Sequence, residues 1–359
     1  MGFIEDFFFY RLSMQDRILL FLVIAILFLL VLAFFFGIYA ILLRMANNRK
    51  AARWRRLESL WEQTILEVME EEQPPEALWK KVRPPDILYF VDFLLRYARR
   101  LRGREWEILC ELARPYLRRI ADHITKGEPE RRARAVQTLS GLGFREYTGF
   151  LLRALDDPSP LVAMIAARSL IRKEHPEYIE KVLVQLHRFH NWSPGYLASL
   201  LASIGSAAAP ELRRTLTNPQ SSPYTRAVAA EALRRLNDFT AADAAANILQ
   251  IETNRDLLAA SLRLLTQTGR PEHLPAIRPL CESPDYVVRA QAVRALGCLG
   301  EKEDGSRLVK AFDDPSPWVA MSAAWSLRIA GRMELLNQLA ASDHSRSNLA
   351  RQVLAEEPS

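Results

Sequence analysis

The chain has 359 residues, of which 49% are hydrophobic and 25% charged, with a formal net charge of +6, 14 glycines and 3 cysteines. An odd cysteine count with no C-x-x-C spacing argues against both a disulfide framework and a structural zinc site, and it fits a reducing compartment. Arg44, Arg49, Lys50, Arg53, Arg55 and Arg56 alone match the whole basic surplus, so the charge is a local feature and no nucleic-acid partner is expected.

Residues 1–17 form a short aromatic segment whose Phe3, Phe7, Phe8, Phe9 and Tyr10 suit a membrane–water boundary. The run 18–43, bounded by Arg17 and Arg44, contains no Asp, Glu, Lys, Arg, His, Asn or Gln. As a helix rising about 1.5 Å per residue it spans roughly 39 Å, enough to cross a hydrocarbon core of about 30 Å with tilt. Acidic Glu5, Asp6 and Asp16 precede it and no small-x-small cleavage site follows, which argues against a cleaved signal. Basic residues crowd its C-terminal flank, so the positive-inside rule puts residues 44 onward in the cytoplasm and the N-terminus outside. Ala33 and Gly37 are spaced to pack against another membrane helix.

Residues 44–126 read as a juxtamembrane helical stalk. A helix is expected over 48–72, with apolar Trp54, Leu57, Leu60, Trp61, Ile65, Leu66 and Met69 recurring at steps of three and four. Its acidic end, Glu70 to Glu72, opposes the helix dipole and calls for a basic partner. Helices are expected over 85–102 and 104–125, joined at Gly103. Arg96, Arg99, Arg100, Arg102 and Arg104 crowd that junction. They read either as a solvated basic face or as a site for an anionic lipid or ligand, since arginine forks match phosphate oxygens. Arg96/Arg100 and Arg100/Arg104 resemble one half of a cyclic-dinucleotide motif, whose Asp/Asn-x-Ser-x-x-Gly half is missing.

From 127 to 357 the chain repeats at about 31 residues. Asp156, Asp157, Pro158, Ser159 and Pro160 recur as Asp313, Asp314, Pro315, Ser316 and Pro317. Helix-opening positions are expected at Glu128, Ser159, Ser193, Ser222, Asn254, Asp285, Ser316 and Asp343, giving about eight units. Ser, Asn or Asp there caps a backbone N–H, and Pro160, Pro194, Pro223 and Pro317 suit the first helical position. Small pairs such as Ala166 and Ala167, or Ala323 and Ala324, allow close helix approach, while Gly269, Gly300 and Gly331 are expected as left-handed caps. Each unit is a helix, a tight turn and a second helix, unable to bury its apolar face alone.

The period, Asp-Pro turn and small-residue second helix resemble HEAT-like repeats of the kind also found in phycobilisome lyases. The resemblance covers about residues 127–357 and implies a HEAT-like α-solenoid there; with the single N-terminal transmembrane helix and helical stalk read above, the chain is expected to be all-α. The architecture is also similar to that of bacterial membrane-anchored HEAT-repeat proteins that accompany envelope glycosyltransferases in exopolysaccharide systems. That likeness implies an inner-membrane accessory subunit that holds a membrane protein partner.

The residues carry no motif for catalysis. His187 and His190 lack a third ligand at a useful spacing, except Glu180, and the two Asp pairs fit turn and capping roles. No phosphate loop, G-x-S-x-G or H-E-x-x-H occurs, so no catalytic residue, metal or cofactor is expected. The candidate binding surface is a ridge of equivalent positions on the second helices: Arg168, Glu231, Arg263, Arg294 and Trp325. A scaffold is the favoured reading. A sensor of an anionic second messenger or lipid and a bilin-lyase-like enzyme are the alternatives.

Overall fold

The computed structural model describes residues 14–122, 127–172 and 175–356, with side chains from 21 onward except at 40, 46, 47 and 50. The aromatic segment at 3–10 and the expected helix end at 125 lie outside the described residues. Helices account for nearly all regular structure, and no strand occurs among the described residues. The backbone packs as two units, Met1–Leu112 and Ala113–Ser359.

In the first unit a single 56-residue helix, α1 (Met14–Met69), replaces the separate membrane and stalk helices expected from the sequence. Nothing between Gly37 and Pro74 breaks it, since that stretch holds neither Gly nor Pro. Its part Phe21–Met45 is long and apolar enough to cross a membrane and has no buried portion. Ala33 and Gly37 lie exposed on it. Beyond this stretch, α1 packs on α3 (Ile87–Ala98), with α2 (Pro75–Trp79) and the start of α4 (Arg104–Ala121) closing the core. Trp61, Leu78, Phe90, Leu94, Leu109 and Leu112 are fully buried there. Gly103, at φ +61, makes the turn between α3 and α4 that a side chain would strain.

The second unit is a two-layer stack. The odd layer holds α5 (Pro129–Leu142), α7 (Pro160–Leu170), α9 (Pro194–Ala202), α11 (Pro223–Arg235), α13 (Arg255–Thr268), α15 (Tyr286–Leu299), α17 (Pro317–Ile329) and α19 (Ser347–Ala355). The even layer alternates with it: α6 (Phe144–Ala154), α8 (Ile179–Gln185), α10 (Ala209–Thr217), α12 (Ala242–Ile251), α14 (Leu274–Ile277), α16 (Gly305–Phe312) and α18 (Met333–Ala341). From α9 to α17 each odd helix packs along the next, while even helices touch their counterparts at few points. Small residues make this possible. A Cβ on Gly297 of α15 would lie 2.7 Å from the Ser326 Cα of α17, and Ser326 Oγ donates to Val293 O at 2.9 Å. Only α7 and α9 barely meet. Between them the 3₁₀ turn Leu186–Phe189 buries Leu186 and Phe189.

Several local expectations need correction. Ser222, Asn254 and Asp285 do cap their helices through the side chain, whereas Glu128, Ser159, Ser193 and Ser316 do not. In the two Asp-Pro turns the N–H of Ser159 or Ser316 instead donates to Asp157 or Asp314, each at 2.8 Å. The last opening falls at Arg346, not Asp343. There His344 and Arg346 reach back to Asp313, Phe312 O and Asp314 O and hold the chain in a turn. Of the three closing glycines only Gly331 is left-handed, at φ +68. Gly269 and Gly300 are extended. They are required by proximity: a Cβ would stand 2.5 Å from Leu265 O and 2.4 Å from Leu296 O.

Candidate interaction surface

The ridge positions are the ninth residue after each helix opening. Glu231, Arg263, Arg294 and Trp325 fall on the adjacent helices α11, α13, α15 and α17, so the structure brings these four together. Arg168 does not join them. It stands on α7, and the intervening α9 carries Ala202 at that position. Glu231 is only 8% exposed and is enclosed by Arg234 at 2.7 Å, Arg263 at 3.3 Å and Arg235 at 3.5 Å. Burial alone would raise its pKa, but the Arg234 and Arg263 guanidiniums hold it below the usual carboxylate range. It is the hub of an arginine cluster and no free contact residue. Arg294 is exposed and has no ion-pair partner among the described residues. Trp325 is half-buried, with the Arg328 guanidinium 5.5 Å from its ring centre.

A second repeating set shows only once the repeats are aligned. The fourth residue after an opening is arginine in three units and binds the acid two residues before the next opening: Arg132 with Asp157, Arg226 with Glu252, and Arg289 with Asp314. The first and third pairs are two-pronged, at 2.8 and 2.8 Å and at 2.7 and 2.9 Å. An arginine from the following unit then clamps the same turn through backbone carbonyls. Arg188 reaches Leu155 O and Asp157 O, and Arg346 reaches Phe312 O and Asp314 O. The even layer has its own braces, Arg213 to Asp238 at 2.5 Å and Arg278 to Asp304 at 2.8 and 3.0 Å. Burial pushes Asp157, Asp304 and Asp314 upward, but their arginine and backbone N–H donors bring each below the normal range. These carboxylates are structural, which matches the turn-and-cap role expected of Asp157 and Asp314.

The five stalk arginines do not converge on one point. Arg96 pairs with Glu58 and Arg104 with Glu71, which supplies the basic partner expected for the acidic end of the helix. Arg99, Arg100 and Arg102 are exposed around the turn. Along α3, Asp86 meets Arg53 at 2.6 Å, Tyr89 stacks on Trp54 at 3.6 Å, and the Tyr97 hydroxyl donates to Glu62 at 2.8 Å. The paired numbers rise together, so α3 runs parallel to α1 and carries Arg99, Arg100 and Arg102 away from the apolar span. Glu62 lies seventeen residues beyond Met45, about 26 Å along the helix axis.

Other clusters are occupied by their own partners. A groove of about 880 Å³ beside α16 is lined by charges that pair among themselves, including Arg278 with Glu301 and Lys310 with Glu282. Cys281 in that groove has its thiol pushed up to about 12 by burial, which leaves no thiolate for nucleophilic chemistry at neutral pH. Asp243, Glu272 and His273 come close enough to suggest a metal site. However, His273 Nδ1 accepts the Arg270 N–H at 3.0 Å, so Nε2 carries the proton it gives to Asp243 at 2.8 Å. His187 and His190 are exposed, and the Nδ1 of each faces a carbonyl oxygen of the same turn.

The fold is an all-α, HEAT-like stack of helical repeats. The HEAT-repeat family model matches residues 242–328, within the most regular part of the stack. Among solved structures the chain is similar to the CpcE–CpcF complex of phycocyanin lyase from Nostoc, at 22% identity over 66% of this chain and 86% of that one, with a TM-score of 0.32. It is also similar to a mutant of Kap121p, at 14% identity over 76% of this chain and 37% of that one, TM-score 0.45. Human deoxyhypusine hydroxylase aligns at 17% identity over 77% of this chain and 98% of that one, TM-score 0.31. No curated protein matches the chain. Stacked HEAT-like repeats present a long surface on which another protein can be bound.

Proposed function

We propose that the chain is a non-catalytic, single-pass membrane scaffold whose repeat unit recruits a partner protein at the cytoplasmic face. The observation that carries this reading is α1. One uninterrupted helix leads from an apolar stretch with no buried portion, through Arg49, Arg53, Arg55 and Arg56, into the packed core of the first unit. Basic residues at that junction suit an anionic cytoplasmic leaflet and support an orientation with the repeats on that side. The repeats then supply the contact surface. The architectural resemblance to anchored repeat proteins of exopolysaccharide systems makes a membrane glycosyltransferase of the bacterial inner membrane the partner to seek. Ala33 and Gly37, exposed on the span, are the positions at which that enzyme would pack.

The anionic-sensor alternative is supported less. Arg96 and Arg104 are committed to glutamates, and the remaining three arginines stand about 26 Å or more from the apolar span along an upright α1, against a screening length of about 8 Å. The bilin-lyase alternative has no enclosed pocket in its favour among the described residues. The test is affinity recovery of the full-length protein from native membranes in mild detergent, followed by mass spectrometry. Recovery of one polytopic enzyme near one-to-one supports the scaffold. Recovery of the protein alone refutes it.

A further inference from the structure

The two layers of the repeat unit differ in charge. Helices α7, α9, α11, α13, α15 and α17 hold nine arginines and no lysine against two acids, Glu231 and Asp256. The even-layer segments between them, with their 3₁₀ turns, are balanced at eight basic and eight acidic residues. Some arginines of the odd layer are consumed internally, Arg226 by Glu252 and Arg289 by Asp314. Arg255 is exposed but pairs with Asp256, and Arg168 is exposed apart on α7, which leaves Arg235, Arg263 and Arg294 to face outward along the row, whose own carboxylate is shared among three guanidiniums. The row therefore presents net positive charge. At its α17 end the character changes. Trp318, Trp325 and Ile329 are spaced i, i+7 and i+11, which places them within about 20° of one line on the helix. Trp318 is 70% and Ile329 60% exposed.

We infer that this face receives an acidic segment of the partner polypeptide, with an aromatic or branched aliphatic residue at the end that meets α17. The inference rests on the scaffold reading and names the chemistry of its partner. Adjacent helices stand about 8–10 Å apart, and a polyproline II chain returns to the same side every three residues at about 3.1 Å each, so an acid at every third position meets Arg263 and then Arg294 before the apolar residue reaches the tryptophans. Arg and Trp are also the side chains that concentrate binding energy at interfaces. A nucleic acid is the poorer occupant. Its affinity depends on many phosphate contacts, whereas here one guanidinium unpaired among the described residues, Arg294, stands beside two, Arg235 and Arg263, that already share a buried carboxylate.

The test uses the full-length protein in detergent micelles and fluorescein-labelled twelve-residue peptides, with glutamate at every third position and a terminal tryptophan. Peptides with lysine in place of glutamate and a single-stranded oligodeoxynucleotide serve as rival probes. The glutamate peptide is expected to bind, to weaken about tenfold or more with Arg263→Gln/Arg294→Glu, and to weaken by a similar factor with Trp325→Ala. Arg214→Glu on the even layer is expected to leave it unchanged, and circular dichroism checks that each variant is folded. Equal affinity in all variants, or tighter binding of the lysine peptide or the oligonucleotide, overturns the inference. Affinity recovery from membranes separates the two proposals. A partner retained in full by Arg263→Gln/Arg294→Glu overturns this inference and leaves the scaffold standing, while loss of that partner supports both.

Discussion

Replacing Asp314 by alanine removes the acceptor on which one repeat is braced to the next. Asp314 takes two bonds from Arg289 at 2.7 and 2.9 Å and the Ser316 N–H at 2.8 Å, with only 10% of its side chain exposed. Breaking a buried ion pair costs about 3–5 kcal/mol. Here Arg289 is 16% exposed and keeps Ser283 O at 2.8 Å and Pro284 O at 3.0 Å, so its charge is not stranded. The expected loss is therefore about 2–3 kcal/mol. Trp318 and Trp325 sit on the helix this turn opens, so urea unfolding followed by tryptophan fluorescence reads the site directly, with hydrogen exchange of the α17 amides as a local check. Asp157→Ala should cost the same within about 0.5 kcal/mol, because its turn repeats the same bonds from Arg132 and Ser159. A loss below about 0.5 kcal/mol for Asp314→Ala, or no coupling to Arg289→Met in a double-mutant cycle, would refute the view that these pairs brace the stack.

Gly297→Val should separate α15 from α17 and cost about 2–3 kcal/mol, read as a lowered urea midpoint, because the new side chain meets Ser326 backbone. Gly331→Ala should cost about 1 kcal/mol from its left-handed backbone, with nothing near enough to clash. Asp157, Asp304, Asp314 and Glu231 all have folded pKa values below their ordinary ones. Their stabilisation is thus complete above about pH 4–5 and is lost as pH falls through the lowered values. Denaturation should be insensitive to pH between about 5 and 7 and should become easier below about 4, and the acid-side slope should shrink in Asp157→Asn/Asp314→Asn.

The repeat phase was legible because its signals are local: Pro at the first helical position, an Asp-Pro turn and paired alanines each act within a few residues. Seven of eight openings fall where the sequence places them, and Asp343 fails because His344 and Arg346 are drawn back onto the preceding turn by contacts some thirty residues away. The Arg-to-acid braces are visible once the repeats are aligned, as arginine four after one opening and an acid two before the next, but each position alone looks like ordinary surface charge. The glycines differ for a related reason. Sequence suggests the dihedral freedom that Gly331 uses, while Gly269 and Gly300 answer a close carbonyl that only the folded backbone reveals. On the ridge, equivalence of position did not mean equivalence of role. Arg294 is exposed, but Glu231 is spent inside an arginine cluster and Arg168 is isolated by α9.

In a chain anchored as proposed, the unbroken α1 also fixes a register between the bilayer and the first unit. Each residue of helix turns the chain by about 100° and lifts it by about 1.5 Å. One alanine inserted between Met45 and Arg53 would therefore swing Trp54, Glu58 and Trp61, with the whole of α3 seated on them, about a quarter-turn or more around the bilayer normal, while leaving every contact inside the unit intact. Seven inserted residues would bring that face back to within about 20° of its starting azimuth, some 10 Å further from the lipid. In a chain anchored as proposed, the direction in which the first unit faces is thus chosen by helix length alone, and a ladder of insertions through this segment would distinguish a partner that reads azimuth from one that reads only distance.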